Sequence, residues 1–171
     1  MASKEQATID FLMTCDLISG NPLFFQFIKA KDNNKQLLML ANDKSLNQTN
    51  VDGSVSKQFT FTLVDFKSVA YNALVAFTPV GTTEIGTTPA PTDENVEEYM
   101  DVQGIIDWIT LQDRNRNYPD FGSSCQIQKM RALTDNPNLN GVDSSTKPSL
   151  AKYSISIQID YLDTSEVIWN Q

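Results

Sequence analysis

The residues from Leu150 to Leu162 constrain the fold more than any other stretch, because apolar and polar side chains alternate through most of it. Alternation with a period of two places successive side chains on opposite faces of an extended strand. At about 3.3 Å per residue this strand is roughly 40 Å long, well beyond the common length of about 5–6 residues. We therefore predict a half-buried strand that forms the backbone of a sheet. Its apolar face comprises Ala151, Tyr153, Ile155, Ile157, Ile159 and Tyr161.

The length and composition of the chain narrow the class of protein. With 171 residues the chain can form one domain with its own core. It has no run of about 18 apolar residues, and its first residues lack the basic flank and apolar centre of a signal peptide, so we expect no membrane association. The net charge of −8 argues against a surface that grips nucleic-acid phosphates.

The complete absence of histidine bears on chemistry. It removes the Ser-His and Cys-His nucleophile arrangements and the commonest general base. Cys15 and Cys125 each occur alone within apolar patterns, which is typical of small buried side chains rather than of a disulfide or a metal site. We therefore predict no catalytic site, no cofactor and no metal.

The amino-terminal residues predict a helix. Ser3 and Gln6 have the spacing of a capping box, and the helix should run to about Ile18 and end at Gly20. One apolar stripe along it should face the core: Ala7, Phe11, Leu12, Cys15 and Ile18. A second stripe indicates either packing within the domain or contact with a neighbouring subunit: Ile9, Met13 and Leu17.

Several further segments read as strands. Leu23 to Lys31 and Gln36 to Ala41 flank turn-forming residues, which predicts a β-hairpin. Gln58 to Phe66 predicts a third strand with a pleated, half-buried surface. Ser124 to Ala132 predicts a fourth, and a polar connection, Leu133 to Ser149, leads from it into the main strand.

The segment before the second helix is the most irregular. Ser68 to Phe77 fits a short helix or a continued strand equally well. Thr78 to Thr92 contains three prolines, two glycines and six threonines, with Val80 and Ile85 as its large apolar residues. It predicts either a disordered loop or an inter-subunit arm that becomes ordered on a partner.

Glu94 to Asn115 predicts the principal helix. Its core face should comprise Tyr99, Val102, Ile105, Ile106 and Ile109. Met100, Trp108 and Leu111 lie off that face and invite a second contact, although Trp108 equally suits the cover of a sheet edge.

Acidic residues cluster at the start of this helix, where the helix dipole favours negative charge. They suit a solvated surface better than a cation site, because no loop of alternating oxygen ligands is present. The candidate acidic surface, or lumen in an assembly, comprises Asp93, Glu94, Glu97, Glu98 and Asp101.

The order of elements, α-β-β-β-α-β-β, predicts the fold class. We expect a single α+β domain over residues 1–171, with a mixed or antiparallel sheet of about five strands and two main helices packed on one face.

Several segments of the sequence carry a family resemblance. They are NPLFFQFIKAKDNNKQ, FTLVDFKS, NVEEYMDVQGIIDWI, RNYPDFG, NPNLNGVD and LAKYSISIQIDYLD. Together they resemble neck and tail proteins of tailed bacteriophages, and the order of elements resembles the tail-terminator fold.

The resemblance implies a structural virion protein that is synthesised in the host cytoplasm. Copies would form a ring, expected to be a hexamer, that caps the tail tube, ends its polymerisation and lets DNA pass without specific binding. The tail-tube protein would bind one face and the head-tail connector the other. A connector protein (stopper or adaptor) and a tail-tube subunit are the alternatives within the same resemblance, and a carboxylate enzyme is a more distant one.

A ring subunit needs apolar surface beyond its own core. The candidate subunit interface comprises Ile9, Met13, Leu17, Val80, Ile85, Met100, Trp108 and Leu111.

Overall fold

A computed structural model describes residues 3–21, 23–26, 36–42, 48–68, 94–143 and 150–165. The predicted arm, with Val80 and Ile85, lies outside the described residues, as does Asp93. The choice between helix and strand for residues 69–77 lies outside them too.

Two long antiparallel strands form the centre of the fold. β4 (Val55–Ser68) pairs along its whole length with β7 (Leu150–Asp163), and each strand has 14 residues. Phe61 lies opposite Ile157, and both side chains are fully buried. The predicted main strand is therefore confirmed as an interior strand.

The remaining strands extend this pair into a seven-stranded sheet. The strand bounds are β1 Leu23–Phe25, β2 Gln36–Asn42, β3 Gln48–Thr49, β5 Cys125–Ala132 and β6 Asn138–Asp143. The main path of the sheet has the order β1-β2-β4-β7-β5, while β3 pairs with β4 and β6 pairs with β7. The α+β prediction, with about five main strands and helices on one face, is confirmed.

The predicted hairpin between the first two strands is wrong. β1 runs parallel to β2, with Leu23 opposite Leu37, whereas a hairpin needs antiparallel strands. Gln26 has a φ of 64° and its N–H donates to the carbonyl of Met39, so the chain turns out of the strand there. The sequence signals marked both strands but did not determine their relative direction.

The first predicted helix is present as two shorter ones, α1 (Lys4–Leu12) and α2 (Asp16–Ser19). The Ser3 hydroxyl accepts the N–H of Gln6 as predicted. The helix breaks because the Thr14 hydroxyl donates to the Phe11 carbonyl at 2.7 Å and the residue that follows, Cys15, is extended. All five residues of the predicted core stripe are nevertheless buried.

The principal helix, α3, spans Glu94–Asn115 as predicted. It ends at Arg116, whose φ of 54° turns the chain out of the helix, and Pro119 follows shortly afterwards. Together with α1 it covers one face of the sheet. The core between these layers contains Leu12, Ile18, Leu63, Val102, Ile105, Ile109, Met130, Ile155 and Ile159.

β6 lies within the segment predicted as a polar connection. Four of its six residues are turn-forming types, and one of them, Gly141, has a φ of 135°. Pairing with the start of β7 holds them in a strand, from Asn138 opposite Ser154 to Asp143 opposite Leu150. Tertiary pairing thus overrides local preference.

Candidate functional site

The outward face of α3 carries an exposed apolar ridge. Val96, Met100 and Leu111 are 53%, 58% and 51% exposed, and helical spacing places them on the same side of the helix, away from the core. Asp107 and Arg114 share this side and are also exposed. A ridge of this composition is unusual on a solvent-facing helix surface.

The α1–α2 segment lies alongside this ridge. A Cβ atom on Gly104 would come within 2.7 Å of the Leu17 side chain, so α2 packs closely against α3 at a position without a side chain. The rings of Phe11 and Trp108 are 5.1 Å apart, one turn further along α3. Leu17 therefore lies beside the helical positions that flank Gly104.

Four of the predicted interface residues are exposed on this layer of helices. Leu17, which lies beside Gly104, is 39% exposed, Met13 at the end of α1 is 36% exposed, and Met100 and Leu111 belong to the ridge. We call these four residues the helical-layer patch. An exposed set of large apolar side chains on neighbouring elements is typical of protein contact surfaces.

Two other predicted interface residues are used mainly within the domain. Ile9 and Trp108 are partly buried and pack against the core. The ring of Trp108 packs against the ring of Phe11 in the amino-terminal helix.

The predicted acidic surface divides into two parts. Glu97 is exposed, whereas Glu98 and Asp101 turn toward the end of β4 and contact Lys67. The side chain of Glu94 lies outside the description, although its backbone begins the helix. The prediction of a solvated surface is therefore wrong for Glu98, whose side chain is 17% exposed because the buried Lys67 attracts it. The side chain of Asp101 is 46% exposed and stays on the surface while it also contacts Lys67.

Lys67 is the centre of a buried ion cluster. Its Nζ atom lies 3.0 Å from Glu98 Oε2, 3.3 Å from Asp101 Oδ2 and 3.7 Å from Asp65 Oδ2. Lys67 and Asp65 are 3% and 4% exposed. The cluster links the carboxyl-terminal end of β4 to the first turns of α3.

The charge state of this cluster follows from its geometry. Burial alone would lower the pKa of Lys67, but the carboxylates of Asp65, Glu98 and Asp101 outweigh burial and raise the pKa above its ordinary value. Lys67 is therefore protonated at neutral pH. A protonated amine cannot act as a nucleophile, so the arrangement suits an ion-pair cluster better than lysine chemistry.

Sequence reasoning missed Lys67, although the alternation contained a signal. Asp65 and Lys67 have the same parity along β4 as the inward-facing Phe59, Phe61 and Leu63. Two charged residues at inward positions predict an ion pair, because a buried charge needs a partner.

A second polar group caps the edge of the sheet. The Asp113 carboxylate of α3 accepts the backbone N–H of Met130 on β5 at 2.7 Å and the Tyr118 hydroxyl at 3.0 Å. The N–H of an edge strand is a pairing point for another chain, and here a side chain of the same domain occupies it.

The opposite end of the β4–β7 pair carries its own polar contacts. Lys57 Nζ lies 2.7 Å from Asp163 Oδ2, and this bond holds the pKa of Asp163 well below its usual range. Lys4 of α1 donates to the Tyr161 hydroxyl at 2.7 Å, which fixes the amino terminus to the sheet. Both ends of the apolar core are thus closed by charged groups.

The outer face of the sheet is polar. The hydroxyls of Thr62 and Ser156 are 3.3 Å apart across β4 and β7, and Ser154 and Gln158 are buried on this face. A depression of about 340 Å³ lies here, lined by side chains that include Gln48, Gln58 and Gln128. Among the predicted site residues whose side chains the structure describes, none lines this depression.

Three further findings concern metal binding, membrane-spanning helices and similarity to known proteins. Within the described ranges, no group of three or more His, Cys, Asp or Glu side chains is arranged to hold a metal ion. The helices that the structure describes include none with the length and apolar character needed to cross a membrane. No protein-family model matches the chain, and no curated protein is significantly similar to it.

Proposed function

We propose that this protein is a structural subunit of the neck or tail of a tailed bacteriophage, not an enzyme, and that its copies form a ring that caps the tail tube. The observation that carries the proposal is the helical-layer patch, which leaves four large apolar side chains exposed on adjacent elements. A subunit that contacts two neighbours needs surface of this kind. The resemblance of the sequence segments to phage tail proteins supports the same role.

The charge of the protein is compatible with a channel for DNA. A net charge of −8 supplies no general phosphate-binding surface, so a ring of such subunits would let a duplex pass without holding it. The ring would end tube growth by offering the tube a face that binds it and a second face that binds the head connector.

Negative-stain images of the purified full chain test the proposal. Closed single rings are expected. Long tubes would indicate a tail-tube subunit instead, and single copies at every concentration would contradict self-assembly and favour a connector protein that depends on its partners.

A further inference from the structure

The two ends of α3 carry exposed side chains of opposite charge. Glu97 is exposed near the amino-terminal end, and Arg114 and Arg116 are exposed at the other end. None of the ion pairs between described residues involves these three side chains. Glu98 and Asp101, on the same helix, are in contrast held by Lys67.

Each end also presents an apolar side chain. Met100 lies one turn beyond Glu97, and Leu111 lies one turn before Arg114. Both are more than half exposed. At 1.5 Å per residue the 22-residue helix is about 33 Å long, so these are two separate surfaces, one acidic and apolar and the other basic and apolar.

Two different complementary surfaces on one chain favour a head-to-tail contact over a two-fold one. In a two-fold antiparallel pairing of α3 with itself, residues on the same side of the ridge meet. Glu97 and Arg114 are 17 positions apart in the sequence, which places them about 100° apart around the helix axis. Arg114 lies in line with the ridge residue Val96, whereas Glu97 lies beyond the opposite flank of the ridge. A two-fold pairing would also bring the exposed Asp107 near its own copy at the centre.

We propose that the acidic end of α3 in one copy of this chain docks on the basic end of α3 in the next, with Met100 against Leu111 and Glu97 against Arg114. This inference rests on the proposed ring, and it names the two surfaces that close it. A head-to-tail contact between unlike surfaces gives a ring when the successive rotations from one subunit to the next add up to a full turn. The partner is therefore a second copy, selected by charge and apolar complementarity.

Charge reversal tests the pairing. Glu97→Arg and Arg114→Glu should each raise the concentration needed for assembly at least tenfold, because each places like charges at every contact. The chain that carries both reversals should assemble as the unmodified chain does. An equal mixture of the two single variants should also assemble, since alternating copies restore opposite charges at every contact in an even-numbered ring.

Two matched controls use exposed charges away from the ends of α3: Asp10→Arg and Lys129→Glu. These variants should assemble normally, and mass photometry over a concentration series measures all seven samples, including the unmodified chain. If the unmodified chain forms rings and the single reversals do so equally well, or the mixture fails to recover, this pairing is wrong while the proposed function stands. If the unmodified chain stays a single copy throughout, the proposed self-assembly itself is wrong.

Discussion

Replacement of Lys67 by methionine should destabilise the domain more than any other substitution of a lysine in the described part of the chain. The side chain of Lys67 is 4% exposed, and its removal would take away the ammonium group that the carboxylates of Asp65, Glu98 and Asp101 all contact. Removing one partner of a buried ion pair costs about 3–5 kcal/mol, because an uncompensated charge remains. Lys152→Met is the matched control, since that side chain is 41% exposed and lies 3.9 Å from Asp143. It should cost less than about 1 kcal/mol.

The effect of Glu98→Gln on stability should have opposite signs in the unmodified protein and in the Lys67→Met protein. Glu98→Gln should destabilise the unmodified protein, because it weakens a charged contact of 3.0 Å with Lys67. In the Lys67→Met protein the same substitution should stabilise, because it removes one of three neighbouring negative charges that the Lys67 ammonium group no longer attracts. Urea unfolding followed by tryptophan fluorescence at pH 7 measures all four free energies of unfolding.

The pH dependence follows from the raised pKa of Lys67. A group whose pKa is raised on folding contributes its stabilisation below its unfolded pKa, here about 10.5, and loses it as the pH rises through the folded pKa. The gap between the unmodified protein and Lys67→Met should therefore be constant from pH 7 to 9. Equal small losses for Lys67→Met and Lys152→Met, or a destabilising effect of Glu98→Gln in both backgrounds, would refute the ion-cluster interpretation.

Three further predictions concern the sheet. Ile157→Ala should lower the free energy of unfolding by about 2–5 kcal/mol as a large-to-small core substitution, whereas Ser156→Ala should lower it by less than about 1.5 kcal/mol. Equal losses in urea unfolding would mean that the two faces of β7 are misassigned. Asp113→Ala should lower the stability of the fold by about 1–3 kcal/mol, and Asp113→Asn by much less, because the amide oxygen can still accept the N–H of Met130 on β5. Similar losses of thermal stability in both variants would contradict this role of Asp113 as an acceptor. The pKa of Asp163 is lowered, so its contact with Lys57 stabilises the fold at neutral pH, and this stabilisation is lost as the pH falls below about 4. Lys57→Met should therefore make the free energy of unfolding less dependent on pH in acid. An unchanged acid unfolding profile would contradict this.

Local sequence patterns predicted the elements whose side chains repeat regularly. The strict alternation from Leu150 to Leu162 and the helical spacing from Tyr99 to Ile109 each determine which face is buried, and both predictions are confirmed. These patterns depend only on neighbouring residues and on the geometry of one element.

Other features depend on contacts that the local pattern does not contain. The direction of β1 is set by its pairing with β2, and β6 is a strand only because β7 lies beside it. Gly104 gave no sequence signal of the close approach by Leu17. The candidate site was thus predicted as a set of apolar residues, but its assembly into one patch required the packing of α2 on α3.

Native mass spectrometry of the purified protein tests whether copies of this chain close into a ring, as we propose. We expect one closed species of six subunits, whose size stays constant as the concentration rises and which dissociates in the Glu97→Arg variant. Single copies at every concentration, or a distribution of sizes that grows with concentration, would contradict it.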